Sequence, residues 1–193
     1  MKSICVFCGS KTGSDPDKVK LAAKTGKALA VSGYRLIYGG GGLGLMGAVA
    51  QAAFENDGEV LGILPQYLKE AEASLSHIPH KIVPDMRARK KAMFEASNAF
   101  IVLPGGIGTL EEAIEILSWR QLGLHKKPIC FISPDHYWAP LAALLDHTVT
   151  HGFSGQALSQ HMHVATTPAQ AISLLEKEWK KGKNYQPPKI LKI

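Results

Sequence analysis

Phe100-Ile101-Val102-Leu103, then Pro104-Gly105-Gly106-Ile107-Gly108-Thr109, then Leu110-Glu111-Glu112-Ala113-Ile114-Glu115-Ile116-Leu117 is the stretch on which the fold turns. The first four residues form a short apolar run that reads as a buried strand. The glycine-rich middle reads as a loop. Thr109 and Glu112 have the spacing of a capping box, with Thr109 as N-cap and Glu112 at the third helical position. Leu110, Ala113, Ile114 and Leu117 then supply the apolar stripe of a helix. Strand, glycine loop and helix in that order make one half of a βαβ unit.

The same alternation extends in both directions. Strands are expected at 4–8, 35–38, 60–63, 81–83, 100–103, 129–132 and 163–165. Helices are expected at 19–31, 45–55, 86–96, 110–122, 138–150 and 169–179. Such a chain predicts an α/β fold, a Rossmann-like doubly wound parallel sheet with helices on both faces. At 193 residues the chain has the size of one domain, assigned here to 1–181, with 182–193 as a basic C-terminal tail.

Composition narrows the class. Apolar residues at 46% and charged residues at 20% are ordinary globular values, which excludes a disordered chain. No apolar run approaches the ~18 residues of a membrane span, and the first residues are too short a stretch for a signal peptide. Three cysteines make no even disulfide framework, so a reducing cytoplasm is expected. The net charge of +6 raises the question of a nucleic-acid partner.

In doubly wound sheets the ligand lies beyond the carboxyl ends of the strands. Three loops there stand out: 9–14, Gly39-Gly40-Gly41-Gly42-Leu43-Gly44-Leu45-Met46-Gly47, and Pro104 to Thr109. Glycine lets backbone N–H groups approach a phosphate, and a following helix adds its positive end. Both long loops have that context, although glycines that merely permit tight turns remain the alternative. No G-x-x-x-x-G-K-[ST] is present, so a P-loop NTPase is not indicated. Gly42, Gly44 and Gly47 match G-x-G-x-x-G, but after the second strand rather than the first. The acid required about 20 residues further on has no clear candidate, since Glu70 and Glu72 lie past another strand.

Charged residues flank these loops. Glu112 is either a helix-start acid or a carboxylate aimed at substrate or water. Met86-Arg87-Ala88-Arg89-Lys90-Lys91-Ala92-Met93 is either a solvated basic face or a ligand site. An arginine in a first helical turn opposes the helix dipole, and such local conflicts concentrate at functional sites. Cys5 and Cys8 alternate across a strand, which argues against a shared metal or redox site. The eight histidines form no ligand cluster, and no metal is expected.

Pro104 to Glu112 resembles the P-G-G-x-G-T-x-x-E motif of the LOG ("lonely guy") family, long labelled lysine decarboxylases. Gly39 to Gly47 is similar to that family's glycine loop, Phe7-Cys8-Gly9-Ser10 to its first strand end, and Leu64-Pro65-Gln66-Tyr67-Leu68 to its turn after the third strand. The resemblance implies a Rossmann-like dimer, here a homodimer, that hydrolyses the N-glycosidic bond of cytokinin riboside 5′-monophosphates or AMP. The products are an adenine-type base and ribose 5-phosphate. It implies Arg89 and Glu112 as the catalytic pair, with Gly105, Gly106, Gly108 and Thr109 on the phosphate. Glu72, Lys90, Ser10, Gly41, Gly42 and Met86 complete the implied substrate-binding set. It implies no cofactor; nothing resembles a pyridoxal phosphate site, and the decarboxylase label is set aside. One departure is that Arg87 stands where the family's M-H-x-R-K has histidine, which bears on the preferred base. A non-catalytic nucleotide carrier on the same fold is the rival expectation.

The charge then divides. Residues 176–193 hold six lysines and two glutamates, most of the surplus. The remainder, including Arg87, Arg89, Lys90 and Lys91, suits one phosphorylated nucleotide rather than a nucleic-acid polymer, and no membrane.

Overall fold

A computed structural model describes residues 1–69 and 73–181 of the chain. Seven strands form one parallel sheet: β1 (Ser3–Phe7), β2 (Arg35–Tyr38), β3 (Val60–Pro65), β4 (His80–Val83), β5 (Ala99–Val102), β6 (Ile129–Ile132) and β7 (Met162–Ala165). Their order across the sheet is β4-β3-β2-β1-β5-β6-β7. The helices are α1 (Asp17–Val31), α2 (Gly44–Phe54), α3 (Met86–Ala96), α4 (Ile107–Gln121), α5 (Ala139–Thr150), α6 (Ala157–His161) and α7 (Pro168–Lys181).

The central strands are apolar at successive positions because both faces are covered. Ile4 and Val6 of β1 pack with Leu36, Tyr38 and Ile101 under α1, α2 and α7. Cys5 and Phe7 point the other way, with Ile37, Phe100 and Val102, under α3, α4 and α5. Cys8 joins the first layer, so Cys5 and Cys8 are separated by the sheet, as the strand period requires.

Strand order reverses direction at β1, which pairs with β2 on one side and β5 on the other. This switch point opens a crevice between the loops that follow β1 and β5. Val6 lies opposite Ile101 and Phe7 opposite Val102, so the two strands end together. Gly9 N–H then donates to the Pro104 carbonyl at 3.1 Å.

Three expectations need correction. The helix after the glycine loop starts at Ile107, with Gly106 as N-cap, not at residue 110. Thr109 therefore sits inside the first turn and caps nothing; no side chain caps this helix. Glycine and an exposed isoleucine carry no apolar period, so the early start left no trace in the stripe. The stripe is also rotated: Thr109, Ala113, Ile116 and Leu117 are buried, while Ile114 is exposed. The cation run does not stay together either. Arg87 and Lys91 are exposed and Lys90 is half-buried against α4, leaving Arg89 alone facing the crevice. The short helix α6 had no sequence forecast, and the turn expected after β3 is a 3-10 turn at Gln66–Leu68. Glu70, Glu72 and the tail at 182–193 lie outside the described residues.

Candidate active site

The crevice holds a cavity of about 780 Å³. Its walls are the loop after β1, the start of α2, Met86 and Arg89 of α3, the loop after β5 with the first turns of α4, and Asp135 and Tyr137 after β6.

Arg89 is fixed from three sides. Its Nε donates to the Ile63 carbonyl and its Nη2 to the Gly39 carbonyl, each at 3.1 Å. Its Nη1 lies 3.7 Å from the Met86 sulfur and 3.9 Å from Glu112 Oε1. The two carbonyls belong to the ends of β2 and β3, so the sheet itself aims this guanidinium. The residue is only 8% exposed. Gly39 must be glycine for this: a Cβ there would stand 2.0 Å from Nη2.

Glu112 sits in the second turn of α4 and faces Arg89 across the cavity floor. Burial pushes its carboxyl up from an ordinary 4.5 to about 7, and the Arg89 charge offsets only part of that rise. A carboxyl balanced near neutrality can hold or release a proton at working pH.

The two glycine loops, alike on paper, do different things. At α2 the amides of Leu45 and Met46 donate to the Gly9 carbonyl at 3.0 and 3.3 Å. The start of that helix is thereby spent on the protein's own backbone. Gly44 has φ +59 and packs so close to Ser10 that a Cβ would lie 2.4 Å from its carbonyl carbon. At α4 the first-turn amides of Ile107, Gly108 and Thr109 have no intrahelical acceptor. A Cβ at Gly106 or Gly108 would meet nothing within 4 Å. This end of α4 opens into the cavity and suits an anion.

Of the residues singled out from sequence, Ser10, Met86, Arg89, Gly105, Gly106, Gly108, Thr109 and Glu112 line the cavity together. Gly41 and Gly42 do not; Gly42 packs on the Ala73 carbonyl. Lys90 lies outside it, paired with Glu111 and with Glu115 at 3.1 Å. Arg87 is exposed and outside the lining as well. Glu72 is not among the described residues. Sequence reasoning missed Met46, Lys18, Asp135 and Tyr137, all of which reach the cavity. The signal for the last two was available: they follow β6, a strand whose carboxyl end opens beside the same crevice. Among the described residues, no three His, Cys, Asp or Glu side chains come together to hold a metal ion.

Comparison with known proteins adds a second line. The family described as "possible lysine decarboxylase" matches residues 46–175. The chain is 40% identical to a probable cytokinin riboside 5′-monophosphate phosphoribohydrolase, LOGL2, of Oryza sativa, covering 91% of this chain and 72% of that protein. It is 43% identical to the cytokinin riboside 5′-monophosphate phosphoribohydrolase LOG7 of Arabidopsis thaliana over 79% of this chain and 70% of that one. The enzyme of that name in Rhodococcoides fascians is 38% identical, over 90% and 89% of the two chains. Among solved structures, the molybdenum cofactor binding protein of Rippkaea orientalis has a TM-score of 0.69 at 22% identity, covering 92% of this chain and 97% of that one. The molybdenum cofactor carrier protein of Chlamydomonas reinhardtii also has a TM-score of 0.69 at 22% identity, over 94% and 99%. At that identity the likeness concerns the fold.

Proposed function

The chain belongs to the LOG family of cytokinin riboside 5′-monophosphate phosphoribohydrolases, and on that premise we propose that it hydrolyses the N-glycosidic bond of cytokinin riboside 5′-monophosphates and AMP. Water adds to C1′ of the ribose as the bond to N9 of the base breaks. The free base leaves with a proton and ribose 5-phosphate remains.

The observation that carries this reading is the Glu112–Arg89 pair on the cavity floor, 3.9 Å apart, beside the open start of α4. Amides of that helix start, with Thr109, hold the 5′-phosphate. Binding the phosphate positions the sugar and directs remote binding energy to the reacting bond. The bond breaks through an oxocarbenium-like state, positive on the ribose and negative on the departing base. Glu112 stabilises the ribose charge and orients or deprotonates the water. Arg89, already fixed by two carbonyls, needs no reorganisation to offset charge on the leaving side.

Arg87 points away from this chemistry, so the family's histidine is not replaced by a cation in the cavity. The ligand of this reading is one nucleotide rather than a nucleic-acid polymer, and salt-dependent binding of single or duplex strands would contradict that. A homodimer is part of the reading. Ile114 of α4 and the C-cap Leu122 are 38% and 67% exposed, an apolar pair that a second copy would cover. The reading extends to a reducing compartment, the cytoplasm, supported by three free buried cysteines. No helix among the described residues is long and apolar enough to cross a membrane.

Glu112→Gln tests the chemistry. It retains nucleotide binding and loses base release, whereas release at the parent rate removes Glu112 from the mechanism. A carrier would bind nucleotide and release no base in either form.

A further inference from the structure

Three successive carbonyls of the loop after β5 are each engaged. Pro104 accepts from the Gly9 N–H at 3.1 Å and Gly106 from the Leu110 N–H at 3.0 Å. Gly105, between them, accepts from the Tyr137 hydroxyl at 2.8 Å. The outer two bonds come from the backbone and follow from the fold. The middle one is made by a single side chain, 32 residues away, on the loop after β6.

The peptide between Gly105 and Gly106 is planar and trans, so its carbonyl and its N–H point in opposite directions. A Gly105 carbonyl held toward Tyr137 thus fixes where the Gly106 N–H points, at the N-cap of α4. With glycine on both sides no Cβ restricts rotation of this peptide. The Tyr137 hydroxyl is the side-chain donor that bonds this carbonyl directly.

Tyr137 is itself well mounted. The next residue, Trp138, is buried, packs on Phe131 with ring centroids 5.4 Å apart, and donates its backbone N–H to Ser133 Oγ at 3.1 Å. The Tyr137 ring stands edge-on to Trp138 at 4.9 Å. Asp135 pairs with Lys18 of α1, tying the same loop to the far wall of the cavity. The hydroxyl therefore hangs from the core although the residue is 42% exposed at the cavity mouth.

We infer that Tyr137 is a positioning residue, which sets the Gly105–Gly106 peptide and through it the affinity of the loop for a phosphomonoester. This rests on the proposed role of that loop in holding the substrate phosphate. Tyr137→Phe removes the hydroxyl and keeps the ring. A hydrogen bond of this kind is worth a modest factor, so KM for AMP and the inhibition constant of inorganic phosphate should each rise about 3- to 10-fold. kcat and the melting temperature should stay near the parent values. Unchanged KM and unchanged phosphate inhibition would overturn the inference, whatever happens to stability. If the parent protein releases no base, the proposed function fails separately. Calorimetric titration of inorganic phosphate then reads the inference directly, with weaker binding by the variant supporting it and equal binding overturning it.

Discussion

Arg89 and Lys90 are neighbours of like charge, and one short segment of sequence cannot separate them. Their difference is tertiary. Arg89 meets two carbonyls at the ends of β2 and β3, whereas Lys90 meets the acids of α4. The conflict with the helix dipole marked the segment as unusual without saying which cation mattered. Glu112 stood out through a capping-box spacing that the helix does not use and then through the family motif; the apolar stripe had the wrong phase. Two outcomes belong at this scale. Gly39→Ala forces Arg89 off its carbonyl, and steady-state kinetics should show kcat reduced by roughly tenfold or more, since misplacing a catalytic group is costly. Glu112 is raised to about 7 in the fold, so the folded protein holds a proton there that the unfolded chain gives up near 4.5. The stability this contributes is full below about 4.5 and is lost as pH rises through about 7. Glu112→Gln should therefore stabilise the protein at pH 8 by about 1–3 kcal/mol, and the gain should shrink toward pH 5 in thermal melts.

α4 connects site and core, and its two ends behave differently. Its start is open to the cavity, while its far end is pinned by the buried His125. The His125 Nε2–H donates to the Ile116 carbonyl at 3.0 Å, and Nδ1 accepts the Lys127 N–H at 3.1 Å. Only the neutral ring makes both bonds. Burial lowers its pKa from 6.5 to about 4, so its contribution is full above 6.5 and is lost as pH falls through about 4. Glu112 and His125 thus pull stability in opposite directions over nearly the same range. Glu112 should therefore make the profile of the parent protein shallower there than that of a variant without this carboxyl. The Glu112→Gln variant should lose roughly 2–3 kcal/mol between pH 7 and 4 in denaturant titrations, because the His125 slope is no longer offset. A flat profile in that variant would contradict the assignment. The element pattern itself was legible: short apolar runs alternating with longer amphipathic ones predicted every strand and, α6 apart, every α-helix among the described residues. What sequence could not show was that α2 spends its first amides on Gly9 while α4 does not. Both loops are glycine-rich and both precede a helix; the distinction arises from how β1 and β5 end side by side.

At the scale of the molecule, one parallel sheet with a switch point at β1 places the site where the strand order reverses, and the fold alone would suit a carrier as well as an enzyme. Assembly is testable through the exposed apolar pair of Ile114 and Leu122. Ile114→Glu with Leu122→Glu places two carboxylates there, and sedimentation should shift from dimer to monomer without unfolding. A dimer that persists in the double variant would place the contact elsewhere. Of the 87–91 run, Arg89 alone lines the cavity, while Arg87 and Lys91 are exposed. The most direct measurement is product analysis after incubation with AMP and N6-isopentenyladenosine 5′-monophosphate. The account predicts free base and ribose 5-phosphate in equal amounts from the parent protein, with none from Glu112→Gln. Nucleotide bound but recovered intact, or inorganic phosphate released with the nucleoside, would contradict it.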